Sequence, residues 1–376
     1  MLETIVNTTL AARLRERISI AGPLSFRDWM TAALYDAQDG YYCRTDRVRW
    51  SREGDYRTSP ERSAMFAATF ARYFARLHEE LGSPAEWTIT ELGAGNGAFA
   101  CGVLETLRSF FPAVFAATAY SIDEVSRTAR TQAQERLVQF ADRVSFSPLN
   151  ETKVTAGVIF SNELLDAFPV HRVIYKDRRL LEFFVAVNAA GNFTWLQREP
   201  GSELSARFET YFKHHKVQLS EGQIAEVDLE VENWFACIAE NLRRGYLITV
   251  DYGAAAADLY SVKNRPEGSL RGFQRHEFVT DLLARPGEHD LTTTVNWSHV
   301  LEAGSRYDFE VVEFEQQDKF LLSAGILEQL QLETSHRQSE AERTRLRTAA
   351  REMILPGSMA THFQVLVQKR IGTDEA

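Results

Sequence analysis

The feature that most restricts the fold is a short apolar stretch, Trp87-Thr88-Ile89-Thr90-Glu91-Leu92, which runs directly into Gly93-Ala94-Gly95-Asn96-Gly97 and then into a helix-forming segment. Glycines at 93, 95 and 97 allow a tight turn with positive φ and let a ligand approach backbone N–H groups at the positive end of a helix. The surrounding pattern agrees with such a turn. Short apolar strands are predicted near Trp87–Glu91, Ala119–Asp123, Val144–Phe146, Gly157–Ser161 and Gly245–Asp251, alternating with helices, which is the signature of a parallel sheet covered on both faces. The tail adds a strand near Phe309–Phe314, two helices and a last strand near Phe363–Lys369. The expected fold is therefore α/β and Rossmann-like, with a seven-stranded, mostly parallel sheet.

Residues 1–84 read as a helical N-terminal cap to a domain over 85–376. Ile5, Leu10, Leu14 and Ile18 recur at helical spacing before Gly22-Pro23, and Ser25 with Asp28 resembles a capping box opening a second helix. Ser59-Pro60 supplies an N-cap and first-turn proline for a third helix, whose aromatic stripe of Phe66, Phe70, Tyr73 and Phe74 reads as core packing. Between the fourth and fifth strands lies an insertion, about 168–243, longer than any ordinary crossover. Arg172–Gln197 alternates like a β meander turning at Asn188–Asn192, and helices are expected near Phe208–His215 and Leu229–Leu242. The polar run Leu332–Arg347 reads as one exposed helix.

Composition narrows the function classes. With 376 residues, 44% hydrophobic and 25% charged, the chain can bury a large core. A formal charge of -10 argues against nucleic acid or an anionic membrane surface as the main partner. The N-terminus shows no pattern of a signal or transit peptide, and no metal site is expected: Cys43, Cys101 and Cys237 lie far apart with no CxxC pair. Unpaired cysteines suit a reducing compartment, and a cytoplasmic location is the expectation.

The acid before the glycines separates two ligand classes. Gly93-x-Gly95-x-x-Ala98 also satisfies a relaxed dinucleotide fingerprint, but Glu91 stands where dinucleotide binders usually place an apolar residue. S-adenosylmethionine (SAM) carries an ammonium and a sulfonium, next to which a carboxylate is favourable. Glu91, Gly93, Ala94, Gly95 and Gly97 are accordingly the expected cofactor turn. Glu124 is placed to accept the ribose hydroxyls, with Asp123 as the competing candidate and a solvated helix-start acid as the other reading. Asn162-Glu163-Leu164-Leu165-Asp166 follows the fourth strand at the carboxyl edge where doubly wound sheets bind ligands. Glu163 and Asp166 could pair with a cationic acceptor such as a guanidinium and take its proton, or could cap the following turn. Asp251 ends the fifth strand on the same edge, and Leu270–His276 follows a Gly- and Pro-bearing loop. His171 and His276 are single histidines, more often structural than catalytic.

In order and spacing, Gly22-Pro23-Leu24-Ser25-Phe26, Tyr41-Tyr42, Gly54-Asp55-Tyr56-Arg57-Thr58-Ser59-Pro60-Glu61, the Glu91–Gly97 turn, Asn162–His171, Asp251-Tyr252-Gly253, Leu270–His276 and Glu288-His289-Asp290-Leu291-Thr292 resemble the MidA-like SAM-dependent methyltransferases. Mitochondrial members of that family are arginine methyltransferases acting as assembly factors of respiratory complex I. The resemblance implies the class I methyltransferase fold, SAM as cofactor, a protein acceptor bearing an arginine, and an inserted region that recognises it. It further implies that Thr58, Ser59 and Glu61 help close the cofactor pocket together with Asn162, while Glu163 and Asp166 face the acceptor. Arg57 and Leu164-Leu165 depart from the family's usual residues. Two other readings remain open: a SAM-binding assembly chaperone with little turnover, and an NAD-dependent oxidoreductase.

Overall fold

Among the described residues, the main path of the central sheet runs through seven strands, formed where apolar, β-branched stretches are bounded by helix caps and glycines: β1 (Trp87–Leu92), β2 (Thr118–Asp123), β3 (Val144–Phe146), β4 (Val154–Asn162), β5 (Leu242–Ala254), β6 (Phe309–Gln316) and β7 (Phe363–Arg370). The computed structural model describes residues 9–44, 64–274, 277–355 and 359–370. Along the sheet the order is β6-β7-β5-β4-β1-β2-β3. Neighbours among β5, β4, β1, β2 and β3 are parallel, and β7 runs antiparallel to both β5 and β6. β4 carries a nearly unbroken buried run, Val154 to Ser161, as expected of a central parallel strand covered on both faces. The sheet is thus the Rossmann-like, mostly parallel one expected, with the late hairpin at its edge.

The chain divides into two compact units that differ from the sequence-based division at residue 84. One comprises 1–47, 166–231 and 254–299; the other comprises 48–165, 232–253 and 300–376 and carries the seven strands. Helix Ala64–Glu80, expected in the cap, lies in the second unit. Its aromatic stripe explains the placement: Phe70 meets Phe160 of β4 at a centroid distance of 5.1 Å, Phe66 meets Phe99 at 5.8 Å, and Phe99 stacks on Phe160 at 4.2 Å. These rings form one apolar core that covers the sheet.

In the other unit, Leu24–Ser25 pairs antiparallel with Arg179–Val187, placing Leu24 opposite Val185. Arg179–Val187 is the middle strand of the expected meander, flanked by His171–Lys176 and Phe193–Arg198. Its second turn is at Asn188–Asn192, where Gly191 has φ +80°. Helix Phe26–Tyr35 starts at Ser25, whose hydroxyl accepts the Asp28 amide, the first half of the expected capping box. The N-terminal helices therefore belong with the insertion, through a two-residue strand too short to leave a periodic signal.

The insertion's helices are Ser202–His214 and Glu230–Asn241, close to expectation. The tail holds three helices instead of two, Gln317–Ser323, Ile326–Ser335 and Glu340–Ile354. Gly325 at φ +90° ends the first, and the polar residues 336–339 split what reads in the sequence as one exposed helix. Among the described residues no helix is long and apolar enough to cross a membrane.

Candidate functional site

The glycine turn is built as a strand–turn–helix. β1 ends at Leu92, the helix Ala98–Phe110 begins after Gly97, and Gly93, Gly95 and Gly97 have φ of +69°, +54° and +74°. All three lie in the left-handed region, where a side chain is costly. A Cβ on Gly97 would also stand 2.9 Å from that of Ala133. The turn is tied to β2 twice: Gly93 donates its amide to the Asp123 carbonyl at 2.8 Å, and Gly95 donates to Glu124 Oε2 at 2.8 Å.

Glu91 sits beneath the turn on β1, 4% exposed, and accepts a 2.7 Å hydrogen bond from the Tyr120 hydroxyl. Burial pushes its pKa up to about 8, against the Tyr120 hydrogen bond and with the charge of Glu124 adding to the rise. Tyr120 itself is shifted upward by burial and by Glu91. Two buried carboxyls next to a helix start suit a cofactor that carries an ammonium and a sulfonium. The turn therefore fits SAM.

Glu124 and Asp123 divide roles that the sequence left open. Glu124 accepts from the amides of Gly95 and Ser126 at 2.8 and 2.7 Å, so it braces the glycine turn. Asp123 accepts from the Leu149 amide at 2.8 Å and tethers the segment after β3.

At the end of β4, Asn162 and Glu163 stand side by side. Glu163 has φ +51°, unusual for a residue with a side chain, and its amide donates to the Val250 carbonyl at 2.8 Å. Asn162 Nδ2 donates to Glu163 Oε1 at 3.1 Å, while the buried Asn162 Oδ1 has no hydrogen-bond partner among the described residues. An unsatisfied buried carbonyl beside a carboxylate forms an acceptor pair that a cationic donor would complete.

Asp251, expected among the catalytic residues, accepts backbone amides with both oxygens. It is fully buried, Oδ2 accepts the amides of Leu164 and Leu165 at 3.2 and 2.9 Å, and Oδ1 accepts that of Tyr252 at 2.8 Å. A carboxylate serving three amides holds the Glu163 turn in shape and has little capacity left for an acceptor.

Asp166 is 5% exposed, in the other compact unit, and its carbonyl accepts the Thr293 amide at 2.8 Å. In that unit His171 Nδ1 lies 2.7 Å from Glu182 Oε1, a structural pairing in the insertion. Arg271–Gln274, from the Leu270–His276 motif, pairs with Asp290–Thr292 in one small sheet, and Tyr42 ties the Tyr41-Tyr42 motif to it by donating to Asp290 Oδ1 at 2.8 Å. Thr58, Ser59, Glu61, the rest of the Gly54–Glu61 motif and His276 lie outside the described residues. Sequence reasoning missed Tyr120 and Ser126. Tyr120 looks like an ordinary core aromatic, and only the register with β1 brings it to Glu91.

Comparison with known proteins agrees with this geometry. A family described as S-adenosyl-L-methionine-dependent methyltransferases matches residues 69–314. The chain is similar to the mitochondrial protein arginine methyltransferase NDUFAF7 homolog of Drosophila melanogaster, 26% identical over 318 residues, covering 78% of this chain and 69% of the relative. The human mitochondrial protein arginine methyltransferase NDUFAF7 is 22% identical over 316 residues, covering 78% and 68%. A protein of Burkholderia thailandensis crystallised with S-adenosyl-homocysteine superposes with a TM-score of 0.84 at 29% identity, covering 96% of this chain and 92% of that one.

The expected cytoplasmic location is corrected by these findings, because the relatives from fruit fly, zebrafish and human are mitochondrial proteins. Free cysteines require only a reducing environment and do not single out the cytoplasm. With its matched residues spanning most of the sheet and the glycine turn, the chain belongs to the family of S-adenosyl-L-methionine-dependent methyltransferases, and that molecule is its cofactor.

Proposed function

We propose that the chain methylates a guanidinium nitrogen of an arginine on a protein acceptor, and that it serves the assembly of a respiratory complex. The observation that carries the chemistry is the Asn162–Glu163 pair, a buried carbonyl oxygen with no donor among the described residues, beside a carboxylate on a strained backbone. A planar guanidinium offers parallel N–H donors that suit two adjacent oxygens. The arginine reading is further supported by what the NDUFAF7 relatives are named for. The assembly role rests on the family resemblance.

The cofactor, held by Gly93–Gly97 with Glu91 and Glu124, supplies the methyl group and leaves as a neutral thioether. The work of the protein is orientation. Asn162 Oδ1, expected on the cofactor side, here joins Glu163 in accepting guanidinium N–H bonds and so holds one nitrogen toward the methyl group, and Asp251 fixes the turn that presents them. When the N–C bond forms, the nitrogen carries an extra proton, and Glu163 is the base that takes it. Thr58, Ser59 and Glu61 close the cofactor side in this reading, Asp166 lies two peptide bonds beyond Leu164 on the acceptor side, and the inserted region about 168–243 recognises the acceptor.

The test is Glu163→Gln. The amide preserves shape and one acceptor oxygen but cannot take a proton, so methyl transfer should fall at least about a hundredfold while SAM affinity stays within about twofold. A variant that transfers methyl groups at the normal rate contradicts the assignment of Glu163.

A further inference from the structure

A cavity of about 430 Å³ opens beside Ala254, the last residue of β5, and is lined by Asp258, Asn264, Arg265, Ser269 and Arg271, all within one compact unit. Thr294 gathers the two arginines. Its hydroxyl, in a residue only 7% exposed, accepts from Arg265 Nη1 at 2.9 Å and from Arg271 Nη2 at 3.3 Å. Two guanidiniums on one oxygen repel each other, and burial followed by the charge of Arg271 lowers the pKa of Arg265.

Among the described residues Arg265 forms no ion pair, and its bond to Thr294 is its one side-chain hydrogen bond. The nearby Glu226 is already engaged. Its Oε2 accepts from both the amide and the hydroxyl of Ser269, and its Oε1 lies 3.5 Å from Arg172. The Nε and second Nη of Arg265 are therefore left as a two-donor fork on a polar cavity, the geometry a carboxylate matches with two parallel bonds.

We propose that this cavity is a carboxylate-binding subsite that takes an Asp or Glu side chain, or the terminal carboxylate, of the acceptor polypeptide. Charge selects a carboxylate over a phosphate. Asp258 lines the same cavity, so a second negative charge on the ligand would meet repulsion that a singly charged group largely escapes. That the carboxylate comes from an acceptor polypeptide rests on the protein-acceptor reading above. It adds a rule of selection, namely that preferred acceptors carry an acidic residue as well as the arginine.

Fluorescence anisotropy with labelled hexaglutamate and hexaglutamine peptides at low salt tests this directly. The chain's net charge of -10 disfavours acidic peptides in general, so a preference for hexaglutamate has to arise at a local cationic site. The wild-type protein should bind hexaglutamate at least about tenfold more tightly than hexaglutamine. Arg265→Gln should erase that preference, Arg265→Lys should keep part of it, and both variants should bind S-adenosyl-homocysteine within about twofold of wild type.

An unchanged preference in Arg265→Gln overturns the site. A parallel loss of S-adenosyl-homocysteine binding overturns the acceptor assignment in favour of the cofactor's own carboxylate, and displacement of the peptide by inorganic phosphate at lower concentration than by acetate overturns the choice of carboxylate. None of these readouts needs turnover, so a failure here is distinct from a failure of the methyl-transfer reading.

Discussion

Glu91 makes the pH dependence of cofactor binding predictable. Its carboxyl holds a proton to about pH 8 in the folded chain against 4.5 in its ordinary state, because burial opposes the charge and Glu124 adds to the effect, while the Tyr120 hydrogen bond works the other way. Below pH 4.5 the folded and unfolded chains both hold this proton; between 4.5 and about 8 only the folded chain does, so stability falls as pH rises through that window and the loss is complete above it. At roughly 1.4 kcal/mol per pH unit the upper bound is about 5 kcal/mol, and relaxation around a buried group reduces it. Cationic groups of SAM favour the ionised carboxyl, so binding should expel the proton. Affinity should then rise by close to tenfold per pH unit between about pH 6 and 7.5. Calorimetric titration of SAM at about pH 6.5, in two buffers of different ionisation enthalpy, counts the released protons. Wild type should release close to one, and Glu91→Gln none, with a flat pH profile. Release of no proton by the wild type, with pH-independent affinity, refutes a coupling between Glu91 and the cofactor.

Two further substitutions probe the supports of the site. Asp251→Asn replaces an oxygen that accepts two amides, or the one that accepts Tyr252, by an N–H donor in a fully buried position, and should lower stability by about 2 to 4 kcal/mol in urea denaturation. Gly97→Val combines a φ of +74° with a Cβ only 2.9 Å from that of Ala133. It should cost at least about 2 kcal/mol and weaken SAM binding at least about tenfold by calorimetry.

The parallel sheet was legible because each strand is an apolar run between turn residues, and a parallel strand buried on both faces needs no alternation to be seen. The cofactor turn was legible for a related reason: three glycines in five positions leave few backbone alternatives. What the sequence could not reveal depends on long-range pairing. Leu24–Ser25 has no period of its own and becomes a strand only against Val185 and Phe184, which is why residues 1–84 read as one helical cap. Asp251 read as catalytic since an acid at a strand end usually faces the ligand, and only the fold brings the amides of Leu164 and Leu165 to it. Arg265 was invisible for the same reason, as its significance comes from Thr294, 29 residues away, holding it beside Arg271.

Methyl transfer from SAM to a protein arginine can be observed directly. The most direct measurement incubates the full chain with methyl-labelled SAM and a mitochondrial protein extract, followed by mass spectrometry of the labelled peptides. Label is expected on an arginine side-chain nitrogen, reduced at least about a hundredfold with Glu163→Gln. Label confined to another residue type or to a small molecule, or no incorporation although SAM binds, would contradict that transfer.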